Sequence, residues 1–478
     1  MKLIYNVNDK PKFGQLIVFA FQQLLAIMAA TLVVPVIIGH GMSSAAALFG
    51  AGVGTLIYVL FTKKQSPVFL GSSFAFLGSM AAAFAGGVSM SLGYVGLILG
   101  ATFAGLVYVV IALIVKFVGV GWINKLMPSV VIGPTVAIIG LSLAGNAIGD
   151  LTKGSATKEV IETVAQIGAN GAAELVESTS SVSLASPLIA VLCGLITLFV
   201  TILCSVYGKK TARLIPFIMG ILAGYAAAAI FTVIGIAADI EALQVTNFGS
   251  ITALWADGVS LSTFISVPSF TFLTAAGGLS EINASYIATI AVAYIPVAFV
   301  VFAEHVADHK NISSIIETDL LEKPGLHRTL LGDGVGSIFG AFFGGCPNTT
   351  YGESIGCVAI TRNASVYTII GAAVLAMVIS FISPFVAFVN SIPSCVMGGV
   401  CMALYGFIAV SGLKMVQKVN LEENKNLFVV SAILIAGIGG LTLSFGAIKI
   451  TSIACALILG VIVNIILSKE NTEEAEVI

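Results

Sequence analysis

FGAGVGTLIYVLF, Phe49 to Phe61, and LGDGVGSIFGAFF, Leu331 to Phe343, lie in opposite halves of the chain and read alike, each as G-x-G-V-G followed by Thr or Ser. A short polar piece of small residues follows each, GSSFAF from Gly71 and PNTTYGES from Pro347. A third block, MPSVVIG from Met127, matches IPSCVMG from Ile392. Three matched blocks in the same order indicate duplication of a half of about seven spans. An odd number of spans per half turns the second copy upside down relative to the first. Inverted repeats of this kind are a transporter architecture, with the site near the midplane where discontinuous helices of both halves meet. The expected fold is therefore an all-α polytopic membrane protein built as a 7+7 inverted repeat of about fourteen segments.

Composition agrees that water is not the main solvent. Of 478 residues, 58% are hydrophobic and only 9% charged, against about 25% charged in soluble domains. Mean hydropathy is +1.08. VFAFQQLLAIMAATLVVPVII, Val18 to Ile38, and LFVVSAILIAGIGGLTL, Leu427 to Leu443, are each long enough to cross about 30 Å of hydrocarbon. The polar start MKLIYNVNDKPKFG lacks a small-residue cleavage site, so no removable signal peptide is expected. With the N-terminus inside, all but Lys153, Lys158 and Lys449 of the 21 Lys and Arg residues fall on the cytoplasmic side. This bias places both termini in the cytoplasm. The long polar connections at roughly 149–186 and 239–282 then lie outside. Net charge is −2 and calls for no nucleic-acid partner. The seven cysteines, an odd number in mostly apolar runs, read as small buried hydrophobes rather than as a disulfide frame or a metal site.

The two polar pieces fall where a span should be regular. Ser72-Ser73-Phe74 and Asn348-Thr349-Thr350-Tyr351 carry side chains that compete for backbone hydrogen bonds. Irregular backbone at membrane depth persists only where it is buried in protein or lines a cavity. Pro347 denies a preceding helix its continuation, and a new helix is expected to start between Tyr351 and Ser354.

Most acids lie in loops and tails, but Glu304 and Glu353 fall inside apolar spans, with Asp308 and Asp333 near the ends. A carboxylate at that depth is protonated, paired or turned to a cavity. No Lys or Arg lies in a span to neutralise either glutamate, so both are candidates for proton coupling. In FAEHVADHKN, Phe302 to Asn311, Glu304 and Asp308 share one helix face, while His305 and His309 form a second stripe. The H-x-x-D-H spacing is that of a membrane metallohydrolase only if a third ligand and a general base are at hand. Neither His40 nor His327 is placed to help, so the two histidines read as interfacial residues near the cytoplasmic end. A site with two carboxylates and no cation suits a metal cation, an organic cation, or a neutral heterocycle with adjacent N–H and C=O groups. Phe74 and Tyr351 stand in the polar breaks, where they can sandwich a flat ring.

From Glu353 the chain reads E-S-I-G-C-V-A-I-T-R. This resembles the signature of the nucleobase–ascorbate transporters (nucleobase:cation symporter-2), [Q/E]-N-x-G-x-x-x-x-T-[R/K]. EHVADH, PGLHRTLLGDG, PNTTYGE, LGSSFAF and IPSCVMGGV extend the resemblance over nearly the whole chain, from about Phe13 to Leu467. The opening glutamate is similar to that of the bacterial uracil branch; purine carriers tend to have glutamine. The resemblance implies a core domain (13–120 and 283–390) and a gate domain (121–240 and 391–468). The ligand would bind between two short antiparallel strands in segments 3 and 10. It further implies that Glu304 and Glu353 hydrogen-bond the edge of uracil, that Phe74 packs on the ring, and that backbone at Tyr351 and Gly352 lines the site with Ala30 near it. A proton would move with the substrate, with Glu304, Asp308 and Glu353 as coupling residues and no other cofactor or metal. An elevator-like shift of core against gate would give alternating access, in a homodimer in the bilayer of the inner membrane. Three departures stand out: Asp308 where some relatives have histidine (His309 is one residue off register), Gln23 where a Gln-His pair usually ends in histidine, and Ser354 in place of the signature asparagine. The rival readings are a xanthine or other purine symporter of the same family, an anion carrier of the same architecture, and the metallohydrolase. The short tail SKENTEEAEVI and the lack of an in-span cation speak against the anion carrier.

Overall fold

The computed structural model describes residues 3–119, 121–122, 128–167, 173–209, 211–256, 258–445 and 448–475. Lys125, Lys210 and Met127, and the middle of the 149–186 connection (168–172), lie outside the described residues. The chain divides into two compact units, one of residues 1–144, 264–386 and 404–478, the other of 145–263 and 387–403. Among the described residues eight helices are long and apolar enough to cross a membrane, and four more apolar helices are shorter. The protein is a mostly helical, multi-pass membrane protein.

In the first unit, local sequence sets the helix starts. The helix α1 spans Phe13–Ile38 and α2 spans Ser44–Phe61. The Ser43 hydroxyl accepts from the Ala46 N–H at 3.1 Å and caps α2. After the strand β1 (Leu70–Ser72), a single tight turn at Phe74–Phe76 leads into the short helix α3 (Leu77–Ala83). Then come α4 (Met90–Val118) and α5 (Ser129–Ser142). In the second half, Asn283 caps the long helix α6 (Ala284–Ile316) through the Tyr286 N–H at 2.9 Å, and α7 is Leu326–Gly344. The strand β2 (Asn348–Thr350) precedes α8 (Gly352–Thr361), and α9 (Val366–Ile379) follows.

The repeated blocks meet. A Cβ on Gly54 of α2 would stand 2.7 Å from the Gly336 carbonyl oxygen of α7, and one on Gly336 would stand 2.8 Å from that of Gly54. Gly50 faces Gly340 in the same way, so the two helices run antiparallel with backbones in contact. The third block behaves likewise. Helix α10 (Ser394–Val416) begins right after Pro393, as α5 begins after Pro128. Gly133 lies against Gly412, and a Cβ on Gly140 would stand 2.8 Å from the Ala409 backbone nitrogen. The polar pieces also pair: β1 lies antiparallel to β2, with Leu70 opposite Thr350, Gly71 opposite Thr349 and Ser72 opposite Asn348. Each three-residue strand is followed by a helix start, so both spans are broken as expected, and α8 begins within the expected window.

The second unit adds what the sequence reading did not contain. The first long connection forms an antiparallel hairpin, Thr157–Ile167 against Ala173–Ser183. Val, Ile and Thr, which suit an extended backbone, recur in the first segment, and Val and Thr in the second. Helices Pro187–Tyr207 and Pro216–Ala237 pack through glycines: a Cβ on Gly220 would stand 2.6 Å from the Thr197 carbonyl oxygen. All seven cysteines are free thiols and all but Cys204 are buried, as read from the sequence.

Candidate functional site

A cavity of about 30 Å³ in the first unit is lined by Phe74, Ala75, Ile139, Glu304, Thr349, Tyr351, Gly352, Glu353 and Ile408. Its polar contents come from three elements. Helix α6 carries Glu304, and the first turn of α8 carries Gly352 and Glu353. Strand β2 carries Thr349. Tyr351 caps α8 without a side-chain bond, and Gly352 of that first turn lines the cavity. Phe74, on the turn after β1, is buried and stands edge-on to Tyr405 at 5.8 Å. The Tyr351 ring lies flat against Gly71, where any Cβ would strike it, and its hydroxyl donates to the Ser72 carbonyl at 2.6 Å.

The structure thus brings together Phe74, Glu304, Tyr351, Gly352 and Glu353. Asp308 sits one turn beyond Glu304 and accepts a bond from the Thr350 hydroxyl at 2.8 Å, behind the lining. Ala30 is buried in α1, also outside the lining. Glu304 and Glu353 are only half-buried. Among the described residues, no ion pair involves Glu304, Asp308 or Glu353. A carboxylate pair facing a cavity without a cation is arranged to accept N–H groups or to hold protons.

Two of the departures from the family signature touch each other. The Gln23 Nε2 donates to the Ser354 Oγ at 2.5 Å, and that hydroxyl also accepts the Phe69 N–H at 3.0 Å. The pair ties α1 and the approach to β1 to the first turn of α8, next to Glu353. Their pairing across 331 positions left no local mark in the sequence.

His305 and His309 correct the reading made of them. They are not interfacial; both are wholly buried. His305 Nδ1 lies 2.7 Å from Asp333 Oδ2, itself buried, and Nε2 lies 3.0 Å from the Thr329 hydroxyl. His309 Nδ1 lies 2.8 Å from the His305 carbonyl, which can only accept, so that nitrogen carries a proton. Its Nε2 lies 2.6 Å from the Tyr58 hydroxyl, which is also hydrogen-bonded to the Ser66 hydroxyl at 2.7 Å. The two rings stack at 4.0 Å. All four ring nitrogens are taken by protein groups, which leaves none for a metal. Spacing showed that the histidines share a face; only the packing of α2 and α7 showed that the face is covered.

Ile139 and Ile408 were not foreseen as cavity residues, because nothing in an apolar helix marks one isoleucine from another. Thr349 stood in the polar break without a role, though its residue type and place were a usable signal.

A family model described as the Permease family matches residues 14–165 and 160–446. The chain belongs to this permease family. Its members are membrane transporters rather than enzymes. The chain is 37% identical over 482 residues to the uracil permease of Bacillus subtilis, covering 99% of this chain and 98% of that protein. It is 33% identical over 458 residues to the uracil permease of Escherichia coli K12, covering 95% and 92%. Among solved structures, the transmembrane domain of a cyanobacterial bicarbonate transporter, BicA, superposes with a TM-score of 0.60 at 14% identity, covering 96% of this chain and all of that domain. That likeness is one of fold alone. The family expected from the signature is therefore the right one.

Proposed function

We propose that this permease is a proton-coupled symporter that imports uracil across the cytoplasmic membrane. The observation that carries the reading is the meeting of Glu304 and Glu353 on one cavity, with Phe74 and the first turn of α8 and with no Lys or Arg in its lining. Uracil presents two ring N–H donors and two carbonyl acceptors on a flat frame. The glutamates take the N–H groups, the amide at Gly352 takes a carbonyl, and Phe74 covers a face of the ring. The names of the relatives support the same substrate. A proton rides with the substrate on Glu304, Glu353 or Asp308.

In this reading about fourteen segments form a 7+7 inverted repeat, with the paired strands in segments 3 and 10. The core domain (13–120 and 283–390) shifts against the gate domain (121–240 and 391–468) like an elevator. Both termini face the cytoplasm, the membrane is the inner membrane, and two copies form a homodimer. The antiparallel contacts between matched blocks support the repeat.

The test is radiolabelled uracil uptake into proteoliposomes under an imposed inward proton gradient, with and without a protonophore. Uptake that collapses with the protonophore supports substrate and coupling together. Absence of uptake under every gradient removes uracil as the substrate, and uptake insensitive to the protonophore removes the proton.

A further inference from the structure

Strand β2 alternates its side chains, as any strand must. Asn348 donates its amide to the Gly50 carbonyl at 3.2 Å, and Thr350 donates its hydroxyl to Asp308. Thr349 lies between them and turns the other way, into the cavity with Tyr351. Two hydroxyls line that cavity. Tyr351's is committed to the Ser72 carbonyl. Thr349's is 2% exposed as a residue, and its oxygen has no partner among the described residues. A buried hydroxyl without a partner is costly, and native proteins rarely keep one unless something else completes it.

The ligand chemistry has a matching gap. Carboxylates at Glu304 and Glu353 satisfy N–H donors, but they do nothing favourable for carbonyl oxygens. One carbonyl is met by the backbone at the start of α8. The other is open to a side-chain donor, and Thr349 is the uncommitted hydroxyl at the wall. We propose that Thr349 donates a hydrogen bond to a ring carbonyl of the substrate and sets the preference for oxygen at that position. The inference rests on the reading of the cavity as a nucleobase site.

The experiment measures equilibrium binding of uracil, 2-thiouracil and 4-thiouracil to the purified full-length protein, for wild type, Thr349→Val and Thr349→Ser. Thioketones are poorer acceptors than ketones, so the analogue altered at the contacted position identifies the carbonyl. Thr349→Val is expected to weaken uracil binding about tenfold and to lose the discrimination against one thio analogue only, while Thr349→Ser keeps both. Unchanged affinity and discrimination in Thr349→Val overturn the proposal and leave the uracil reading intact. Failure of the wild type to bind uracil overturns the reading itself and the proposal with it. Should Thr349→Val not fold, Thr349→Cys retains the size with a weak donor; wild-type discrimination in that variant counts against the proposal.

Discussion

Glu304 and His305 are neighbours on α6 and have opposite fates. Glu304 and Asp308 occupy one face of the helix, where Glu304 opens on a cavity and forms no ion pair among the described residues. His305 and His309 occupy another, and every ring nitrogen is bonded to Asp333, Thr329, Tyr58 or backbone. The sequence offers the same kind of signal for both, polar side chains in an apolar span. The difference lies in who completes the polar group. Where protein completes it, the group holds helices together. Where no protein group completes it, the group is open to the ligand or proton of the proposed transport.

The sharpest break in that comparison comes from the cavity face. Glu304→Gln and Glu353→Gln are each expected to lower uracil uptake about a hundredfold or more, with the protein present in the membrane at wild-type level. Normal transport by both variants would remove the carboxylates from the site. On the other face the large effect is on stability. His305→Ala leaves Asp333 buried without its partner, and removal of one member of such a pair costs about 3–5 kcal/mol. Thermal melting in detergent should show the loss, and a melt within a degree or two of wild type would demote the network to ornament.

Gly54→Ala tests the frame beneath the histidine face. Its new methyl would press on the Gly336 carbonyl, moving α2 and with it Tyr58, the partner of His309. Overpacking of this kind costs about 1–3 kcal/mol, visible in the same melting experiment. The smallest effect is expected from Ser354→Ala, which strips the bonds from Gln23 and Phe69 but leaves Glu353 in place. A loss of about 1 kcal/mol in stability with a modest fall in uracil affinity would mark the pair as positioning. Loss of affinity as deep as in Glu353→Gln would instead place Ser354 among the binding groups.

Much of the molecule was legible before any coordinates. Hydropathy alone required a membrane, because hydrocarbon tolerates long apolar spans that water does not. The matched glycine blocks announced a duplication, and the polar runs after them announced broken spans, because Ser, Thr, Asn and Pro withdraw backbone groups from a helix. Glu304 and Glu353 stood out because an acid in an apolar span needs a reason. Those readings rest on local chemistry or on repetition, and both are written along the chain.

Only the tertiary structure decided the rest. It showed that the glycines of one block face those of its copy, because a glycine reports that something comes close but not what. It joined Gln23 to Ser354 and His305 to Asp333, because a hydrogen bond between distant segments leaves no spacing to read. It paired 157–167 with 173–183 of the 149–186 connection as antiparallel strands that loop-like polarity had hidden. And it turned Thr349 to the cavity and Thr350 away from it, because the face a strand residue takes is set by the register of its partner strand.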